Sequence, residues 1–153
     1  MDYLGRQAGP GEESGMVQEL LAGRTEEFVL SQFFNLPEFY ARAQLLVASG
    51  TADERYVQAL YESLYHRTAS PAELSFVVGL LPSEGRQGVA LEFLQSPEFR
   101  RYQFEGYYNA LLHRPDNPDG IDPNGLTAAV FSAADMAAVR LGFEGGVEFY
   151  FNG

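Results

Sequence analysis

Arginine and glutamate recur in this chain at a spacing that could build an acid–base or anion-binding site. Arg6, Arg67 and Arg114 are followed by Glu38, Glu98 and Glu148 at separations of 32, 31 and 34 residues. A guanidinium offers a planar fork of donors that engages a carboxylate through two parallel bonds, and it also caps carbonyls at helix ends. Glu38 and Glu98 follow Pro37 and Pro97, in the first turn of an expected helix, where the macrodipole favours negative charge. A residue present in every copy of a recurring segment is needed to build the segment. The arginines are therefore expected to pair with a repeat glutamate or to cap a helix end, rather than to catalyse.

His66 and His113 stand immediately before two of these arginines, and Gly5 takes that place before the third. Catalysis rarely uses a residue in two copies and drops it in another. A histidine at a helix end, near exposed carbonyls, is the expected account. With no cysteine and only two histidines, zinc lacks ligands and thiolate chemistry is excluded.

The segment from Arg114 to Gly125 is the most suggestive for metal. Asp116, Asn117, Asp119, Asp122 and Asn124 place five oxygen-bearing side chains in nine positions. Calcium takes such oxygen-rich loops, yet the alternating acids and closing glutamate of an EF-hand are missing. Asp and Asn also favour turns in their own right. Pro115, Pro118 and Pro123 fix the backbone at three places and restrict wrapping around one ion. The reading assigns no cofactor and leaves open a weak calcium loop at Asp116, Asp119, Asp122 and Asn124.

Aromatic residues are plentiful: 12 Phe and 9 Tyr, with no Trp. Phe28, Phe33, Phe34 and Phe39 fall at helical spacing, as do Phe93, Phe99, Tyr102 and Phe104, and a packed core is the expected use. The run Tyr102, Tyr107 and Tyr108 could instead leave hydroxyls at an interaction surface, where tyrosine suits protein or glycan contacts. No nucleophile elbow, phosphate loop or carboxylate–histidine zinc motif occurs, which points away from an enzyme.

Composition narrows the partners. Acidic residues number 21 against 10 basic ones, for a net charge of −11. That disfavours nucleic acid, whose phosphates demand basic patches, and anionic lipid surfaces. A chain of 153 residues, 46% apolar, fits a single domain over residues 1–153 with a real core. No apolar run approaches the roughly 20 residues a membrane helix needs, so no membrane insertion is expected. Met1 and Asp2 open without a basic and apolar leader, so no signal peptide is expected in this stretch. The absence of cysteine suits a secreted module.

The elements that must position these residues are helices, and the expected fold is all-α, with at least 60% helix, against roughly a third in an average domain. Ser70-Pro71-Ala72-Glu73 carries an N-cap, a first-turn proline and a glutamate three after the cap. Gly9-Pro10-Gly11-Glu12 and Asp122-Pro123-Asn124-Gly125 occupy the matching places. Second starts are expected at Thr25, Ser83 and Ser132. Tyr56, Val57, Leu60, Tyr61, Leu64 and Tyr65 form an apolar stripe at helical period. The run from Pro97 to Leu112 contains no further proline and reads as one continuous helix.

These signals recur three times. Ser96-Pro97-Glu98-Phe99 is echoed by Leu36-Pro37-Glu38-Phe39 and by Gly146-Val147-Glu148-Phe149, so Phe39, Phe99 and Phe149 join the repeat positions. About three imperfect multi-helix repeats are expected, over residues 3–49, 52–103 and 104–151. The first is cut short, retaining only Tyr3-Leu4-Gly5-Arg6 of its Tyr/Leu helix, as an excerpt of a longer protein would.

Tyr61-Glu62-Ser63-Leu64-Tyr65-His66-Arg67, a capped middle and Ser96-Pro97-Glu98-Phe99 resemble the bacterial domain-of-unknown-function family numbered 4214. Leu4-Gly5-Arg6 with Ser31 to Tyr40, and Leu111 to Asp116 with Asn124-Gly125-Leu126, extend the resemblance over most of the chain. The family usually carries Gly before the arginine, which only Gly5 preserves, and often an aromatic pair in the middle helix, for which Phe76 is the nearest candidate. The resemblance implies a module of large secreted or surface proteins of bacteria, often beside calcium-binding repeats, with no defining activity. The same layout is similar to the repeat of phycobilisome linker polypeptides, although those tend to be basic. The sequence is therefore read as a non-catalytic structural or protein-interaction module at the cell surface or outside the cell. The alternative is an assembly linker within a large cytoplasmic complex, and the third reading is an enzyme or glycan-active protein whose motif escapes recognition.

Overall fold

The computed structural model describes residues 3–7, 9–113 and 135–152. Of these residues 77% are helical and none lies in a strand, so the all-α expectation holds. Among the described residues the helices are α1 (Glu12–Leu21), α2 (Glu26–Asn35), α3 (Pro37–Leu46), α4 (Ala52–Leu60), α5 (Pro71–Gln95), α6 (Pro97–Leu111), α7 (Met136–Glu144) and α8 (Val147–Asn152). A π-helical turn, Tyr61–Tyr65, continues α4. The chain divides into two compact units, residues 1–94 and 95–153.

Local chemistry sets most of the helix starts. The Thr25 hydroxyl accepts from the Phe28 amide (3.1 Å), and the Ser96 hydroxyl accepts from the Phe99 amide (3.1 Å). At Ser70 and Glu73 the capping box is complete: the Ser70 hydroxyl accepts from the Glu73 amide (3.3 Å) and the Glu73 carboxylate from the Ser70 amide (2.8 Å). A second capping box, Thr51 with Glu54, starts α4 and had no place in the sequence reading.

Two starts differ from expectation. α1 begins at Glu12, not at Pro10, because Gly11 takes a left-handed conformation (φ 89°) just ahead of it. Ser83 does not cap a new helix; its hydroxyl donates to the Leu80 carbonyl (2.9 Å). The break falls at Gly85 (φ 70°, ψ 171°), a backbone state that suits glycine, three residues after Pro82. Ser132 lies outside the described residues, and Asp135 caps α7 by accepting from the Ala137 amide (3.0 Å).

In the first unit the core is aromatic and edge-to-face. Tyr3 meets Phe34 at 5.0 Å between centroids, Phe34 meets Phe39 at 4.8 Å, and Phe39 meets Tyr56 at 5.9 Å. These offset geometries align ring edges with ring faces, as the aromatic quadrupole prefers. The whole stripe from Tyr56 to Tyr65 is buried, as its period required. In the second unit Phe104, Tyr108 and Leu112 form the centre, and Val139, Phe143 and Phe149 pack against them.

Candidate functional site

The recurring arginines sit after a residue of left-handed backbone. Gly5 has φ 71°, His66 φ 55° and His113 φ 51°. That region is natural for glycine and rare for other residues, histidine being among the few enriched there. His66 terminates the π-helical turn in this conformation. The expected helix-end role of histidine is thus met by backbone geometry.

From that turn Arg6 reaches two carboxylates at once. Its Nη1 and Nη2 donate to Glu12 at 2.8 Å each, while Nε (2.9 Å) and Nη2 (2.7 Å) donate to Glu38. Nη1 also donates to the Gln7 carbonyl (3.0 Å). Arg67 repeats part of this arrangement. Nη1 (3.2 Å) and Nη2 (2.7 Å) donate to Glu73, and Nη1 donates to the Thr68 carbonyl (3.3 Å). In both places the carboxylate lies six residues after the arginine and also accepts a backbone amide three residues ahead of itself, Gly9 for Glu12 (2.5 Å) and Ser70 for Glu73 (2.8 Å). One glutamate therefore ties the arginine turn to the start of the following helix.

These bonds set the titration. Hydrogen bonds from Arg6, then from the Gly9 amide, hold Glu12 down at about 2. Arg67, then Ser70, hold Glu73 at about 2. Glu38 is lowered by its bond from Arg6. A general acid at neutral pH needs its carboxyl pushed upward, so these carboxylates are set as permanent anions. Arg67 also covers tyrosine faces, its guanidinium carbon 4.9 Å from the Tyr61 centroid and 5.7 Å from Tyr65. A second aromatic–cation group lies nearby in sequence: Arg86 stands 4.4 Å over Tyr40, whose hydroxyl donates to Asp53 (3.1 Å).

The sequence named Arg6 with Glu38, and the structure joins them. It had no role for Glu12 or Glu73 as arginine partners, although a glutamate six residues after Arg6 and after Arg67 was visible; after Arg114 the sixth residue is Gly120. Glu98 lies in the first turn of α6 and Glu148 within α8. Phe39 and Phe99 are buried and Phe149 is partly so. Of the proposed tyrosine surface, Tyr102 is exposed and Tyr107 is half-buried against Phe143 (5.7 Å). Tyr108 is a correction. It is core, packed edge-on against Phe104 (5.2 Å) and Phe143 (5.1 Å), because it lies one helical turn beyond Phe104 on the same face. Phe76 is 68% exposed and packs with no aromatic partner among the described residues. Arg114 and the calcium candidates Asp116, Asp119, Asp122 and Asn124 lie outside the described residues.

Residues 26–103, about half of the chain, match the family described as Domain of unknown function (DUF4214), and the chain belongs to that family. No curated protein and no solved structure matches it. Among the described residues no helix is long and apolar enough to cross a membrane.

Proposed function

We propose that the chain is a non-catalytic structural and protein-interaction module of a bacterial surface or secreted protein, built as about three imperfect repeats over residues 3–49, 52–103 and 104–151. The observation that carries this reading is the reuse of one aromatic pair at matched positions. Tyr61 stands six residues before Arg67, and Phe93 five before Glu98; their rings meet at 4.9 Å and 86°. Tyr108 stands six before Arg114, and Phe143 five before Glu148; their rings meet at 5.1 Å and 86°. The Arg6–Glu12 and Arg67–Glu73 latches repeat in the same sense. Functional groups that recur with their contacts intact serve construction, and arginines already clasped by carboxylates are poorly placed to bind a substrate anion.

Affinity capture on the immobilised chain tests this reading against extracts and envelope fractions of the native host. Specific retention of surface-layer or polymer partners supports it. Pigment-protein or other intracellular assembly partners favour the linker reading instead, and turnover of a host metabolite or glycan by the chain would overturn both. This reading assigns no cofactor and leaves open only weak, millimolar-class calcium binding at Asp116, Asp119, Asp122 and Asn124. A thermal melt in calcium against chelator reads it. No large rise in melting temperature is expected; one abolished by Asp119→Ala/Asp122→Ala would make that segment the functional centre.

A further inference from the structure

A cavity of about 410 Å³ opens along α4 and its π-helical turn. Glu54, Gln58 and Glu62 line it, with Val47, Pro71 and Leu74 as its apolar wall. This volume lies within the roughly 300–1,000 Å³ of small-ligand sites. The three polar residues follow one another at intervals of four, on one helix face. About 12 Å of helix axis separates the outer two. Between them Gln58 is only 7% exposed. Its amide is fixed at both ends: Oε1 accepts from the Ala69 amide (3.1 Å), and Nε2 donates to Glu62 Oε1 (3.0 Å). One lone pair of that buried oxygen stays open.

No cation among the described residues pairs with Glu54 or Glu62. Glu54 accepts from the Thr51 amide through Oε2 (2.7 Å), and Glu62 accepts from Gln58. The Thr51 amide, then its hydroxyl, hold Glu54 below its ordinary value, so it is an anion at neutral pH. Arg55, the next residue, donates to the Gly50 carbonyl instead (2.9 Å). The smaller groove that Phe33 lines, about 280 Å³, is different: its carboxylates already hold arginines, Glu12 with Arg6 (2.8 Å) and Glu19 with Arg24 (3.7 Å). All 10 basic residues of the chain are arginines, so it has no alkylammonium side chain of its own to place in the cavity.

We propose that the α4 cavity binds a linear aliphatic polyamine, a chain of ammonium groups separated by methylenes. Its terminal ammoniums meet Glu54 and Glu62, and a central nitrogen donates to the open lone pair of Gln58 Oε1. The methylenes between them lie against Val47, Pro71 and Leu74, where apolar surface leaves water. A triamine of about nine C–N and C–C bonds, each advancing roughly 1.25 Å when extended, spans about 11 Å. That length matches the spacing of the outer carboxylates. Aliphatic amines titrate near about 10.4, so each nitrogen is charged at neutral pH. A single metal ion fits worse, since calcium gathers roughly six to eight oxygens at about 2.3–2.6 Å and carboxylates two helical turns apart cannot share it.

Isothermal titration of the full chain with spermidine at low salt tests the assignment. Saturable binding of one spermidine per chain is expected, and it should weaken as salt rises. Glu54→Gln and Glu62→Gln should each weaken it about tenfold, the loss of one charge-assisted bond. Both substitutions keep the local structure, because glutamine also serves the third position of a capping box and can still accept from Gln58. Glu13→Gln, on the exposed side of α1, removes the same charge and should leave the affinity unchanged. A ligand series on the unmodified chain reads the site without any variant. n-Butylamine carries one ammonium and ethylenediamine is too short to reach both carboxylates, so each should bind at least about tenfold more weakly than spermidine. No saturation at millimolar spermidine overturns the inference. So does an affinity for n-butylamine equal to that for spermidine, or a loss in Glu13→Gln as large as in Glu62→Gln, which would make the binding a diffuse effect of net charge.

Discussion

Phe33 and Phe93 are the same residue type at the same distance from a Pro-Glu-Phe segment, and they have different fates. Phe93 is 5% exposed between two tyrosines, whereas Phe33 is half-buried at the edge of an open groove. The preceding Tyr/Leu helix makes the difference. α4 and its π-helical turn bring Tyr61 and Tyr65 onto Phe93, and Tyr3-Leu4-Gly5-Arg6 brings Tyr3 onto Phe34 instead. Helical period marks a residue as apolar-facing. Whether that face is enclosed depends on which element arrives to cover it.

The largest effect should separate these two residues. Phe93→Ala is expected to cost about 3–5 kcal/mol in urea unfolding of the chain, the range for emptying an aromatic core site. Phe33→Ala should cost about 1 kcal/mol, since less surface returns to water. Equal losses would mean that the groove is closed in solution and would erase the comparison.

The arginine latches come next. Arg67→Ala removes both the Glu73 bonds and the cover over Tyr61 and Tyr65, and is expected to cost about 1–2 kcal/mol after discount for partial exposure. Lysine should recover little of it, because an ammonium cannot reproduce the flat two-pronged contact. An unchanged urea midpoint would show that the latch adds nothing. The pH profile carries the same information. Glu12 and Glu73 titrate at about 2 in the fold, below the ordinary carboxylate value of 4.5. A depressed carboxylate stabilises fully above its unfolded value and loses that contribution as pH falls toward the folded one. The melting temperature should therefore hold above about pH 5 and drop between about 4.5 and 2, with the drop diminished in Glu73→Gln and at high salt.

The smallest effect concerns the turn before the arginine. His66 holds φ 55°, where non-glycine residues carry strain. His66→Gly is expected to change stability by less than about 1 kcal/mol, since relief of strain offsets added chain entropy. His66→Val should lower it by about 1–2 kcal/mol, because a β-branched side chain fits that region worst. The thermal midpoints of the two variants give the order directly; a valine variant as stable as the glycine one would show that the turn relaxes.

The sequence by itself determined the helical class, the burial of the Tyr56–Tyr65 stripe and the caps at Thr25 and Ser70, and it narrowed Arg6 to a repeat glutamate or a helix end. Each of these follows from interactions within a few residues or from a period that any helix must obey, apart from the two alternatives for Arg6, which recurrence exposed. Tertiary structure alone decided that Tyr108 turns inward against Phe143, that of the repeat glutamates Glu38 reaches Arg6 across 32 residues, and that Phe33 opens onto a groove. Those outcomes depend on which surfaces meet in space. A one-dimensional pattern shows that a face is apolar, but close packing between particular elements selects the partner, and the covering element can stand thirty residues away.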